Sequence, residues 1–181
     1  LAAALKAKHP DVLLVVDGVH GIGAADETIA TMGADYFCGG CHKWMFAPRG
    51  TALVWANADN WARLRPTIPT FSEWESYNAW AENRDPKTPS NAARMSPGGF
   101  HAFEHQWAMA AAFQMHQAMG RQRVASRISS LNDQLKKNLA QNRKIRIHTP
   151  MSADLSAGLV AFENEGVKTE EEAVLWGGTA G

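Results

Sequence analysis

Five consecutive apolar residues, Val12 to Val16, stand between the turn His9-Pro10-Asp11 and the pair Asp17-Gly18, and a continuous run of that kind predicts a buried strand. Leu1 to Lys8 ahead of it reads as the end of a helix. After it, Asp26-Glu27 opens a short helix through Met32 that Gly33 ends, and Asp35 to Cys38 is the next strand, broken by Gly39-Gly40. Thr51 to Trp55 follows as a third strand. Strand, helix, strand, turn, strand is the grammar of an α/β sheet.

Residues 66–99, rich in Pro, Ser, Thr and Asn, predict a long irregular segment, which inside a compact domain usually serves a function. From Phe100 the period becomes helical. Phe103, Trp107, Ala111, Met115 and Met119 form one stripe, Val124, Ile128, Leu131, Leu135 and Leu139 another, and both are expected to be packing faces. Ile145 to His148 and Gly158 to Phe162 read as short strands of a second, smaller α/β unit, followed by a helix from Thr169 to Trp176.

Charge and composition narrow the classes of partner. Lys plus Arg and Asp plus Glu number 18 each, a balance that offers no footprint for nucleic acid or an anionic membrane. No stretch approaches the roughly 18 apolar residues of a spanning helix. A small-molecule substrate fits better. Two cysteines are too few for a disulfide framework, so a reducing, cytoplasmic setting is expected. The chain starts in a helical pattern without an initiator Met or a signal-peptide pattern and ends on small residues, so we expect a piece of a longer enzyme.

The constellation richest in chemistry joins Asp17, His20 and the His42-Lys43 pair. Ligands of open α/β sheets bind beyond the carboxyl ends of the strands, where the Asp17 turn and the Gly39–Lys43 loop both fall. A lysine amine beside a carboxylate is what pyridoxal-phosphate (PLP) chemistry needs: the amine holds the aldehyde as an imine, and the carboxylate keeps the pyridine nitrogen protonated. The bland alternative is a strand-ending aspartate and a solvated loop cation.

The stretches Val15-Val16-Asp17-Gly18-Val19-His20, Gly33-Ala34-Asp35-Tyr36-Phe37 and Cys41-His42-Lys43-Trp44-Met45-Phe46-Ala47-Pro48-Arg49-Gly50 resemble class V aminotransferases of PLP fold type I. Within that class they look most like the isopenicillin N epimerase-like branch, then the cysteine desulfurases. The resemblance implies a mainly parallel sheet with helices on both faces, and long helices leading to a smaller α/β domain. It makes residues 1–100 the latter half of the large PLP-binding domain, 101–144 the connecting helices and 145–181 the start of the small domain. It also implies that Lys43 forms the internal aldimine, Asp17 pairs with the pyridine nitrogen, His20 lies near the phenolic oxygen and His42 helps hold the phosphate. Gly40 stands where desulfurases carry a Ser or Thr that binds phosphate. Gly98 and Gly99 match a turn that, in related homodimers, reaches the neighbouring subunit's phosphate, and a helix N-terminus suits an anion. The activity implied is chemistry at the α-carbon of an amino acid or related amine: epimerisation, transamination, desulfuration or C–S lysis. No Cys follows Cys41, which argues against desulfuration.

Rival motifs were weighed beside this one. Cys38-Gly39-Gly40-Cys41-His42 matches the haem-attachment pattern C-x-x-C-H, but in an α/β context foreign to small helical haem domains. His101, Glu104 and His105 match H-x-x-E-H of inverted zincins, predicting a zinc metallopeptidase with Glu163 or Glu165 as a further ligand. A helix start, however, favours anions over Zn²⁺. A degenerate, non-catalytic family member is the third reading. Arg63, Arg65, Arg84 and Arg94 flank the irregular segment as candidate carboxylate binders, most of them expected to be solvated.

Overall fold

The computed structural model describes residues 1–70, 73–96, 99 and 101–166. The helix expected at 169–176 lies outside them. Two compact units result, residues 1–22 with 27–114 and residues 23–26 with 115–181.

The first unit is built on a three-stranded sheet in the order β1 (Val15–Asp17), β2 (Tyr36–Gly40), β3 (Ala52–Ala56). β1 and β2 are parallel, with Val15 opposite Tyr36 and Asp17 opposite Cys38. Only the end of the apolar run Val12 to Val16 enters the ladder, and the helix expected between the two strands is a single 3-10 turn, Ile29–Thr31. β3 runs antiparallel to β2, Tyr36 facing Ala56 and Gly40 facing Ala52. This pair is antiparallel because residues 41–51 contain no crossover helix to carry the chain back to the other end of the sheet.

Helix α1 (Ala2–Lys8) is tied to the sheet by Lys6, whose Nζ lies 2.8 Å from the carboxylate of Asp35. Asp35 is buried and also accepts from the Leu14 amide at 2.8 Å and from Asn60 Nδ2 at 3.3 Å. Asn60 sits in α2 (Ala58–Trp61) and accepts from Tyr36 Oη, joining that helix to β2. α3 (Trp74–Ala81) and α4 (Ala92–Met95) punctuate the irregular segment.

The two long helices are present as α5 (Phe103–Met119) and α6 (Arg121–Leu139). Their buried faces are not the expected stripes. Phe103 is 51%, Trp107 75% and Met115 45% exposed, whereas Ala112 is buried and Met109 and Phe113 pack on the core formed by Cys41, Met45 and Ala47. In α6, Leu131 and Leu135 are half-exposed while Asn132 and Lys136 are buried.

Lys136 explains that inversion. Its Nζ donates to the carbonyls of Pro150 and Met151 and to Ser156 Oγ, at 2.7–3.1 Å. Three oxygen acceptors thus meet the buried amine, which satisfies a polar group that burial would otherwise penalise. Asn132 Nδ2 donates to Leu159 O, and the helix thereby holds the loop between β4 (Ile145–Ile147) and β5 (Phe162–Asn164), an antiparallel pair.

Two predictions rest on these buried charges. Lys136→Met leaves those acceptors without a donor, and the chain should lose about 3 kcal/mol in urea unfolding. Lys6, then the Leu14 amide, hold the Asp35 carboxyl below the usual carboxylate range. A carboxyl depressed in the folded state contributes stability above its unfolded value and loses it as pH falls through the folded one. Urea midpoints should therefore fall steeply below about pH 4, and Asp35→Asn should be less stable at pH 7 but flatter through that acid range.

Candidate active site

Parallel pairing brings the carboxyl ends of β1 and β2 to one edge of the sheet, and both loops that leave there carry candidate residues. Beyond β1, Asp17 Oδ1 accepts from the Val19 amide at 3.1 Å, and the Gly21 and Ile22 amides both donate to Gly18 O at 2.9 Å. Among the described residues the other Asp17 oxygen has no protein donor. Gly18 is required by packing: a Cβ there would lie 1.9 Å from the Phe37 ring. His20 occupies this tight turn, half-buried.

Beyond β2, residues 41–47 fold back on themselves, with the Phe46 amide donating to Lys43 O at 3.2 Å and the Ala47 amide to Cys41 O at 3.0 Å. Burial alternates in a way that aims the loop. Cys41, Met45 and Ala47 are buried in the core, while His42, Lys43 and Phe46 face outward. Phe46 has φ 59°, an unfavourable left-handed conformation for an aromatic residue, held by the two flanking anchors.

The two loops meet at Lys43. Its Nζ lies 2.9 Å from His20 Nε2, and Trp44 Nε1 donates to His20 Nδ1 at 3.3 Å. The bond from Trp44 to His20 spans residues far apart in the chain, and nothing in the sequence pattern signals it. Gly40 also has a steric reason: a Cβ there would lie 2.9 Å from the His42 ring, so the glycine leaves room for the imidazole. Gly99 has φ 107° and open space around it, a turn only glycine adopts freely. Gly98 lies outside the described residues.

The rival sites lose their geometry. His101 precedes α5 and packs edge-on against Phe103, while His105 Nδ1 lies 3.0 Å from Arg49 O, so the two histidines do not share a helical face. Among the described residues no group of three His, Cys, Asp or Glu side chains is placed to hold a metal. Cys41 is fully buried and its thiol is pushed up by that burial, the reverse of what haem attachment or a reactive thiolate needs.

The irregular segment borders an open cavity of about 790 Å³, lined by Ser76, Trp80, Arg84 and Lys87 among others and by no residue of the Asp17 or Lys43 loops. Its arginines are engaged: Arg84 bonds Glu75 and Glu82, holding the Glu75 carboxyl down to about 2, and Arg65 pairs with Asp85. Arg94, expected at the surface, is 4% exposed and donates to the Thr88 and Pro89 carbonyls and to Glu73.

Asp17 and Lys43 thus stand on two loops at one edge of an α/β sheet, and comparison with known proteins supplies the family. The model of the family Aminotransferase class-V matches residues 1–177, and the chain belongs to that family. Isopenicillin N epimerase of Amycolatopsis lactamdurans is 28% identical over 167 residues, covering 87% of this chain and 40% of the epimerase. A cysteine desulfurase from Thermococcus onnurineus superposes with a TM-score of 0.74 at 18% identity, over 92% of this chain and 40% of that one. The cystine C-S lyase C-DES superposes at 0.67 and 24% identity, over 84% and 39%. The chain thus spans about 40% of the length of each. The fold is PLP fold type I and the family's cofactor is pyridoxal 5'-phosphate, which C-DES holds in a second structure. The residues present fit it: an outward amine, a carboxylate with an oxygen to spare and an imidazole at the loop between them. The zinc reading gains no support.

Burial makes one direct prediction. In a Cys38→Ser chain, Cys41 should not react with a disulfide reagent under native conditions and should react fully in urea, as followed by thiol release.

Proposed function

We propose that this chain carries the lysine-bearing half-site of a PLP-dependent enzyme that acts at the α-carbon of an amino acid or a related amine. The observation that carries the reading is the convergence of the Asp17 and Lys43 loops at one sheet edge, with His20 bridging to the lysine at 2.9 Å. When bound, the cofactor draws electrons from the substrate's α-carbon through its protonated pyridine ring.

Lys43 Nζ would hold the cofactor and would serve as the general acid and base for the α-proton. Asp17 would offer its spare oxygen to the pyridine nitrogen and keep that position protonated. His20 would lie near the phenolic oxygen and His42 would help hold the phosphate. Gly98 and Gly99 would supply the turn that reaches the phosphate of a second subunit, which makes the working protein a homodimer in this reading. Residues 1–100 belong to its large domain, 101–144 to the connecting helices and 145–181 to the small domain. Epimerisation, transamination, desulfuration and C–S lysis share the proton transfer at Lys43. Relatives named for epimerase and C–S lyase activities support that range. The described helices include none long and apolar enough to cross a membrane. The place we propose for such an enzyme is the cytoplasm.

Loading the protein with PLP and reducing it with borohydride should fix a pyridoxyl group on the Lys43 peptide, read by mass spectrometry. Lys43→Ala should abolish the label and lower turnover about a hundredfold or more. A label on another lysine, or none, overturns the assignment.

A further inference from the structure

The open cavity beside the irregular segment has about 790 Å³, a volume within the range of small-molecule sites, and the residues around Asp17 and Lys43 contribute nothing to its lining. Its walls are fixed from beneath. Glu75 accepts from the Lys87 amide and from Arg84 Nη1, each at 2.7 Å, and buried Arg94 donates to the carbonyls of Thr88 at 2.6 Å and Pro89 at 3.1 Å. Pro66, Pro69, Pro86 and Pro89 add apolar surface and fixed φ angles. A stretch with only two short helices is therefore held in shape by buried polar contacts, and the cavity exists before any ligand arrives.

Two side chains of that lining have contact capacity to spare. Trp80 is 62% exposed, and its ring is braced by Tyr77, 6.1 Å away between centroids, which itself meets Trp74 edge-on at 5.9 Å. A braced indole offers a stacking surface at little cost in side-chain freedom. Among the cations, Arg84 is taken by Glu75 and Glu82 and Arg65 by Asp85, whereas Lys87 Nζ has no hydrogen bond or ion pair among the described residues. Its backbone is anchored, and its charge exerts only a weak through-space pull on Glu75. The carboxylates nearby are already matched by arginines, so an arriving anion meets one open positive charge. We propose that this cavity binds a small planar aromatic carboxylate, with the ring packed on Trp80 and the carboxylate paired with Lys87. A neutral ring would leave the ammonium unused, and an aliphatic acid would leave the indole uncovered. The site is independent of any role of Lys43.

The experiment is an NMR titration of the full chain with 2-naphthoate at neutral pH. The expected result is one saturable site with a dissociation constant of about 1 mM or below, the scale of a ligand of that size. 2-Naphthamide, which keeps the ring and loses the charge, should bind about fivefold more weakly, the worth of one exposed ion pair. Cyclohexanecarboxylate, which keeps the charge and loses the ring, should also bind about fivefold more weakly. Lys87→Gln should bring naphthoate down to the level of the amide and leave the amide unchanged, and Trp80→Ala should weaken both. Both side chains are exposed, so the variants should keep the urea midpoint of the unsubstituted chain. Equal affinity for naphthoate and naphthamide, or no saturable binding, overturns the proposal and needs no variant to fold. So does naphthoate binding that Lys87→Gln leaves unchanged or that Lys43→Ala removes. A failed borohydride label would remove the catalytic reading and leave this site standing.

Discussion

The site depends on the parallel register of β1 and β2. With Asp17 opposite Cys38, both strands point their carboxyl ends the same way, and the two loops that leave them converge. An antiparallel pairing of the same residues would send Asp17 and Lys43 to opposite edges of the sheet. Every contact at the site, from the Asp17 turn to the bridge between His20 and Lys43, follows from that one choice of direction.

Direction alone would leave the lysine on a slack loop. What fixes it is the burial of Cys41, Met45 and Ala47 against Ala112, Met109 and Phe113 of α5. Core packing thus places the Lys43 amine without touching it. The same division appears in the second unit, where Lys136 and Asn132 anchor a loop from beneath while Leu131 and Leu135 remain half-exposed.

Much of this was legible in the sequence, and the reasons differ by feature. Apolar runs ended by Gly18 and by Gly39-Gly40 marked where strands stop, so the two site loops could be found. The direction of β3 could not, because an apolar run has no sign; only the lack of a helix within residues 41–51 carries it. The stripe from Phe103 to Met115 misled because α5 is apolar on nearly every side, so that spacing does not select a buried face. The burial of Lys136 and Arg94 was not legible, because the carbonyls that enclose them come from loops whose backbone course leaves no residue signature. The bond from Trp44 to His20 was hidden for a related reason: it joins two loops far apart in the chain.

Lys43 is exposed and contributes nothing to the core that presents it. Its loop is therefore indifferent, as a folding problem, to which side chain stands there. In a drifting lineage, selection on stability would preserve Cys41, Met45 and Ala47 but would not see the lysine. Chemistry here can be lost in a single step while the scaffold survives intact, so a descendant with an inert site would still fold, persist and be available for recruitment to another task.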